Sequence, residues 1–403
     1  MEIALAQEML SKVALNFNQG RQPVMRKSVM TLAVASAFVL PTVALGQAAP
    51  AAPAAPTLDK VLEASGISLS GYVDTAYQHA DRNIEGGFST RVFDSQNNSF
   101  VLHQFGLQMA KQPKEGFGGL VNITAGKDAQ VIHSFPETSA AAFSLFDVTQ
   151  AFAQYATGPF TLIAGKFTTL HGTEVIWSPS NANFSRSILF GAVPFTHTGV
   201  RGTYAMSDTV SFTAGVNNGW DQLQDTNKGK TLELGTTVTP IKPVTISGSY
   251  YGGQEGSATG TNGRRDSFNL VGSYTVIEPL TLSLEYLRVQ QENAIFNSTG
   301  GTAKGKYSGF AGYVSYTFMP KLKGTLRAEA FDDKDGMHFG LPAATTSGSK
   351  YKEYTLTLAY LAADNFELRG EIRTDRANNP VFTDDSNFSK TLTTFAVQAL
   401  YKF

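Results

Sequence analysis

The feature that most constrains this fold is an alternation of apolar and polar residues that recurs from Ile67 to Phe403. In residues 280–286, leucines and a tyrosine occupy every second position, and threonine, serine and glutamate lie between them. Successive side chains of a β-strand point to opposite sides of the sheet, so this pattern predicts strands with one apolar and one polar side. The runs are about ten residues long, the length of a tilted strand that crosses a bilayer.

Sixteen such runs are predicted, starting near residues 67, 100, 119, 146, 160, 196, 209, 230, 244, 266, 280, 306, 322, 351, 366 and 391. Short turns rich in proline, glycine and aspartate alternate with longer connections, of which the clearest are residues 80–99, 168–195, 291–305 and 333–350. Transmembrane β-barrels have this arrangement, with short periplasmic turns and long extracellular loops. The predicted fold is therefore all-β: a transmembrane antiparallel β-barrel of about 16 strands.

The end of the chain separates this fold from a soluble β-sandwich, which would show the same alternation. The last run begins at Thr391 and places Tyr401 and the terminal Phe403 on its apolar side. A terminal aromatic on such a strand resembles the signal by which outer-membrane barrels are recognised for assembly. We therefore interpret Tyr401 and Phe403 as an assembly signal, with the barrel-assembly machinery and outer-membrane lipid as partners.

The N-terminal region differs from the body of the chain. Residues 1–46 are predicted to be an upstream segment and a signal peptide, because two basic residues precede a charge-free apolar run that ends in small residues. An uncleaved membrane anchor is the alternative, and both Met1 and Met25 remain candidate starts. Residues 47–66 read as a linker rich in proline and alanine that ends in a short helix, LDKVLEAS. Residues 67–403 form the predicted barrel.

Composition and motifs exclude several functions. The chain has 32 basic and 33 acidic residues, so it lacks the positive charge typical of a nucleic-acid-binding protein. No cysteine, phosphate-binding loop, HExxH or GxSxG motif occurs, so no catalytic residue, metal site or cofactor is predicted. His103 is predicted on the apolar side of its strand, with Val101 and Phe105. A hydrolase at the barrel rim that uses His171 or His133 is retained as a third alternative.

The most distinctive stretch is residues 164–201. It contains GKF, then GTE, SRSILF and PFTHTGVR, and it is followed by NGW at residues 218–220. Together with GYVD at residues 71–74, these motifs resemble the OmpL-like β-barrel porin family of Gram-negative outer membranes. The resemblance implies an outer-membrane channel and leaves the solute open.

The polar sides of the strands predict which charges line the lumen. An arginine that faces lipid near the bilayer midplane costs ~2–4 kcal/mol, so a row of charges must face inward. The predicted pore-lining residues are Arg201, Glu285, Arg327, Glu329, Glu367, Arg369, Glu371 and Arg373. Both signs are interspersed, so we expect mutual pairing and a weak ion preference. Ordinary wall charges that keep the lumen wet are an equal alternative to a dedicated filter.

The connection 168–195 is too long for an ordinary hairpin and too apolar to extend into water. We expect it to fold into the barrel and constrict the channel, with Trp177, Phe184, Arg186 and Phe190 as constriction residues. A loop packed on the wall for architecture alone is weighted equally.

The predicted function is that of a porin for passive diffusion of small hydrophilic solutes. A plugged barrel that acts as a surface adhesin or structural anchor is the alternative. A homotrimer is one assembly that the sequence allows.

Overall fold

The computed structural model describes residues 57–82, 84, 88, 90–135, 144–297, 299–342, 347–384 and 387–403. The predicted signal peptide and the proline-rich linker lie outside the described residues. Helix α1 (Leu58–Ser65) matches the predicted LDKVLEAS helix, and it ends at Gly66, whose φ of 68° suits glycine. Among the described residues, no helix is long and apolar enough to cross a membrane.

Sixteen of the strands close into one antiparallel barrel. In chain order the strands are β1 (Ser68–Ala80), β2 (Ser99–Lys111), β3 (Gly116–Ala125), β4 (Phe146–Thr157), β5 (Phe160–Thr168), β6 (Thr196–Ser207), β7 (Val210–Asn217), β8 (Thr231–Ile241), β9 (Val244–Gly256), β10 (Asn262–Ile277), β11 (Leu280–Phe296), β12 (Thr302–Met319), β13 (Leu322–Asp332), β14 (Lys350–Ala363), β15 (Phe366–Ala377), β16 (Phe382–Asp384), β17 (Asn387–Ser389) and β18 (Thr391–Lys402). Strands β16 and β17 form a separate hairpin, and β18 pairs with both β15 and β1. All sixteen predicted runs are barrel strands, and each starts within four residues of its predicted position.

The two edges of the barrel differ as the sequence predicts. Seven short turns lie at one edge, at residues 112–115, 158–159, 208–209, 242–243, 278–279, 320–321 and 364–365. Longer connections lie at the other edge, and the longest is residues 169–195. The prediction of a long loop at residues 291–305 is wrong, because β11 and β12 remain paired as far as Phe296 and Thr302. Apolar and polar residues no longer alternate in this segment, although the two strands stay paired. A shift in the strand register between Gln291 and Ile295 further interrupts the two-residue repeat.

A β-bulge corrects the prediction for one histidine. Asp74 pairs with Gln104 and Thr75 pairs with Leu102, so His103 is the extra residue of β2. Such a bulge re-aims side chains, and His103 is buried with its Nδ1 3.0 Å from Asp128 Oδ1. The prediction that His103 lies on the apolar outer side is therefore wrong.

The C-terminus closes the barrel. The Phe403 N–H donates to the Gly71 carbonyl (2.9 Å), and the Gly71 N–H donates to the Phe403 carbonyl (2.8 Å). Tyr401 and Phe403 are 43% and 53% exposed, as expected for outward-facing aromatic residues. A Cβ atom at Gly71 would lie 2.5 Å from the Phe403 ring, so glycine leaves room for this ring.

If the terminal ring acts as the assembly signal, Phe403→Ala will lower the amount of folded barrel in the outer membrane. The backbone hydrogen bonds to Gly71 persist in this variant, so only the ring is tested. The matched control is Phe395→Ala, which removes an equally exposed ring from the same strand. Heat-dependent migration on detergent gels measures the folded fraction. Equal folded amounts of both variants would contradict the role of Phe403.

Candidate functional site

Residues 169–195, here called the inner loop, lie inside the barrel. Three tyrosines from separate strands hold it by hydrogen bonds. The Tyr251 hydroxyl accepts from the Leu170 N–H (2.8 Å), and the Tyr72 hydroxyl accepts from the Ser178 N–H (3.3 Å). On β12, the Tyr307 hydroxyl donates to the Ala192 carbonyl (2.8 Å). Because β1, β9 and β12 are far apart around the barrel, the inner loop crosses the lumen. Its predicted role in constricting the channel stays a prediction.

Apolar side chains bury one part of the inner loop. Helix α2 (Ala129–Ile132) precedes this loop in the chain, and the loop itself contains a 3₁₀ turn (Ser178–Ser180) and helix α3 (Ile188–Gly191). The Ser187 hydroxyl caps α3 by accepting from the Phe190 N–H at 3.0 Å. The side chains of α3 are buried, and the first two belong to an apolar cluster with wall residues such as Leu287 and Phe331. This burial explains why so apolar a segment does not extend into water.

Carboxylates of the barrel wall bind the backbone of the inner loop. Glu329 accepts hydrogen bonds from the Ile188 and Leu189 N–H groups, both at 2.8 Å. Glu371 does the same for the Phe184 and Ser185 N–H groups at 2.8 and 3.0 Å. Glu285 accepts from the Thr173 N–H at 2.9 Å. We call Glu285, Glu329 and Glu371 the anchor carboxylates.

Wall arginines bind the carbonyl groups of the same loop. Arg327 donates to the Ser185 carbonyl (2.7 Å) and also pairs with Glu174 and Glu353. Arg373 donates to the Arg186 carbonyl at 2.5 Å, and Arg369 to the Asn183 carbonyl at 3.3 Å. Arg327 and Arg373 are 0% and 1% exposed. A buried arginine strongly destabilises the folded protein unless carboxylates or carbonyl groups pair with it.

Residues 90–94, from the connection between β1 and β2, also pack inside the barrel. Arg91 pairs with Asp94 in its own loop and with Asp375 of β15 at 2.5 Å. Arg373 also pairs with Asp375, at 2.7 Å. Burial alone would raise the pKa of Asp94, but Arg91 and Arg373 outweigh burial and lower it. Asp94 is therefore a carboxylate that helps to neutralise the buried arginines.

The eight predicted pore-lining charges all lie on the polar sides of their strands, and most of them contact the inner loop. Arg201 pairs with Glu233 and donates to the Thr168 carbonyl at 2.9 Å. Glu367 pairs with Arg369 at 2.5 Å without a hydrogen bond to the loop. Six of the eight charges hold the inner loop. Their role as a charge filter stays a prediction.

The predicted constriction residues divide into two groups. Phe184, Arg186 and Phe190 are buried, and the Arg186 guanidinium lies over the Phe190 ring at 5.7 Å. Trp177 is half-buried and meets Tyr72 edge-on, with ring centroids 4.4 Å apart. Only Trp177 and Phe190 of this set border the cavity between the inner loop and strands β1–β4, which is described below.

Sequence reasoning did not single out several residues of this network. Glu233 and Glu353 lie on the polar sides of β8 and β14, so the same alternation could have identified them. Arg91 and Asp94 lie in a loop without periodicity, and no sequence signal identified their partners.

The histidines of the rim-hydrolase alternative lie in separate settings. His171 contacts the Ser249 and Ser267 hydroxyls at 2.7 and 2.9 Å, and burial lowers its pKa to about 3. His133 contacts Asp147 at 3.1 Å. His171 therefore has serine hydroxyls beside it, and His133 has a carboxylate beside it. A serine hydrolase triad requires a histidine that contacts both a serine hydroxyl and a carboxylate. Among the described residues, neither of these two histidines does so.

A cavity of about 410 Å³ remains between the inner loop and strands β1–β4. The wall contributes small neutral polar side chains, namely Ser70, Gln108, Asn122, Thr149 and Gln150. The inner loop contributes Trp177, Phe190 and Phe195 on the opposite side. The inner loop also contributes His171 and Glu174 to the lining, and Glu174 is the partner of the buried Arg327.

A comparison with protein families matches residues 66–403 to the family described as "Putative beta-barrel porin-2, OmpL-like". The chain belongs to this porin family. The resemblance inferred from its motifs is thereby confirmed, as is the predicted outer-membrane location. Porins of this kind are typically channels without enzymatic activity. No curated protein matches the chain.

Solved outer-membrane proteins share the fold at low identity. An anion-selective porin from Comamonas acidovorans is 12% identical, with a TM-score of 0.59 over 84% of this chain and 99% of that one. The outer membrane channel DcaP of Acinetobacter baumannii is 15% identical, with a TM-score of 0.57 over 84% and 97%. The trimer form of OmpT from Vibrio cholerae is 13% identical, with a TM-score of 0.54 over 84% and 99%.

Removing the anchor carboxylates should release the inner loop. In Glu329→Ala combined with Glu371→Ala, four backbone N–H groups lose their acceptor, and each buried unpaired group costs about 1–3 kcal/mol. We expect a larger and noisier single-channel current and faster proteolysis within residues 178–190. Glu367→Ala is the control, because it removes a carboxylate of the same wall that does not bind the loop. An assembled double variant with the wild-type current would contradict the anchoring role.

Proposed function

We propose that this porin lets small hydrophilic solutes diffuse passively through a narrow passage between the inner loop and strands β1–β4. The observation that carries the proposal is the cavity of about 410 Å³, whose wall side is neutral and polar. Amide and hydroxyl groups exchange hydrogen bonds with water and with passing solutes, and they hold neither permanently. The bulky loop side sets the width of this passage.

The lumen below the loop, toward the short turns, supports the same proposal. Its wall carries serine and threonine hydroxyls that face each other across neighbouring strands. Examples are Thr203 with Thr213 (3.0 Å), Thr237 with Ser247 (3.1 Å), Ser273 with Ser283 (3.2 Å) and Ser315 with Thr325 (3.0 Å). A hydroxyl-lined wall stays wet without binding an ion of either sign tightly.

We also propose a preference for anions. A second cavity of about 380 Å³ lies at the short-turn end and is lined by Lys321, Lys323, Arg369, Lys402 and Glu367. Arg369 pairs with Glu367, so three lysines remain there as excess positive charge. A cleft lined by charges of one sign raises the local concentration of counter-ions. One structural relative is described as an anion-selective porin, which supports this proposal.

One observation favours the alternative of a plugged barrel. Apolar side chains from α3 and from strands β11–β14 and β18 fill part of the lumen. The uptake of small sugars by liposomes distinguishes the two functions, because a plugged barrel admits none. A homotrimer, as in the OmpT structure, is our proposal for the assembly.

Truncating the loop side of the passage should widen it. Trp177→Ala removes a large ring that borders the cavity, so we expect a higher single-channel conductance and uptake of larger sugars. This substitution is sharper than deleting residues 178–187, which would also remove the loop groups that Glu371 and Arg327 bind. Trp220→Ala is the control, because Trp220 lies in another loop and outside the lining of this cavity. Unchanged conductance in assembled Trp177→Ala would contradict the proposed route.

The anion preference has a separate test. In a gradient of potassium chloride, the reversal potential of the wild-type channel should have the sign expected when chloride permeates more readily than potassium. Lys323→Gln combined with Lys402→Gln should shift it toward the cation-selective side. Lys242→Gln, on another short turn, is the matched control. A wild-type channel that prefers potassium would reject the anion preference, and the channel function would stand.

A further inference from the structure

On strands β10–β14, the outer surface carries a row of aromatic rings, here called the aromatic girdle, about seven to ten residues from the short turns. The Phe268 and Tyr286 ring centroids are 6.5 Å apart, and those of Tyr286 and Phe310 are 4.6 Å apart. Tyr354 continues the girdle on β14 and is exposed. Aromatic girdles mark the membrane–water interfaces of such barrels. Since long loops are extracellular, this girdle marks the outer-leaflet interface.

Exposed cations lie on the same outward side, toward the long loops from these rings. We call Arg288, Lys306, Lys352 and Arg376 the cation row. Arg288 follows Tyr286 by two residues on β11, and Lys352 precedes Tyr354 by two on β14. Lys352 and Arg376 lie about ten residues from the turn at 364–365, which is the length of a strand that crosses a bilayer. The cation row is therefore at the depth of lipid headgroups.

Two members of the row face each other directly. Lys352 and Arg376 are Cα partners in the β14–β15 register, and both side chains are exposed. Like charges at directly opposite positions destabilise a strand pair. Nearby cations have acidic partners, as in Lys350 with Asp332 at 3.3 Å and Arg264 with Asp266 at 2.9 Å. Across the described residues, no ion pair involves a member of the cation row.

We propose that the cation row binds the phosphate groups of phosphorylated glycolipid in the outer leaflet of the outer membrane. A phosphate between Lys352 and Arg376 would turn their repulsion into two charge-assisted contacts. Arg288 and Lys306 extend the same charge along the barrel, because Lys306 pairs with Gln290, two residues beyond Arg288. The exposed rings below the row would contact the acyl chains. This site is independent of the channel, since it lies on the outer surface.

The test measures binding of purified lipopolysaccharide to the folded barrel in detergent, by native mass spectrometry and by the shift in thermal unfolding. Wild-type protein should bind intact lipopolysaccharide more tightly than enzymatically dephosphorylated lipopolysaccharide. Each surface cation contributes about 1 kcal/mol toward an anionic headgroup, so Lys352→Gln combined with Arg376→Gln should weaken binding roughly thirtyfold. The matched control is Lys111→Gln combined with Lys114→Gln, which removes two exposed lysines at the opposite edge.

Four further outcomes decide the proposal. Arg376→Lys keeps the charge and should retain most of the binding, which separates charge from folding. If inorganic phosphate raised the thermal unfolding temperature as much as lipopolysaccharide does, the lipid site would be overturned in favour of a free-anion site. Equal binding by wild type and the Lys352→Gln, Arg376→Gln variant would overturn the proposal, as would indifference to dephosphorylation.

Discussion

The internal structure of this barrel depends on carboxylates of the wall that bind the backbone of a loop. Backbone N–H groups that leave water need an acceptor, and Glu329 and Glu371 each satisfy two such groups of the inner loop. In these contacts, the wall charges that face the inner loop are paired with its backbone. The contacts also fix the position of the loop in the lumen. Arg327 and Arg373 complete the attachment through carbonyl groups. A segment without regular hydrogen bonds of its own can thereby cross the barrel interior.

This attachment makes the two sides of the lumen different. On the side of β11–β15, ion pairs and the apolar cluster around α3 fill the space. On the side of β1–β4, amides and hydroxyls line an open cavity. A buried ion pair contributes little net stability, and removing one partner is costly. The charged wall therefore positions the inner loop, and the neutral wall borders the cavity that we propose as the passage.

The sequence predicted the barrel well because its strands repeat one simple constraint. Lipid on one side and polar groups on the other impose period two, so even the strand starts fall within four residues of the predictions. Prediction failed where that constraint is absent. The bulge at His103 breaks the period, and β11 and β12 extend into water, where an apolar side is not required. Loop residues such as Arg91 have no period at all.

For the residues of the candidate site, the alternation predicts which side of the sheet each side chain faces. It gives no information on which groups that side chain binds. It placed Arg369 and Arg373 in the lumen, but an exposed filter residue and a buried anchor show the same pattern in sequence. The difference arises from the inner loop, which packs on β13–β15 and buries those charges. Under the proposed anion preference, the lysines at the short-turn end would be the charges that solutes meet. Selectivity would then follow from which wall charges the inner loop does not bind.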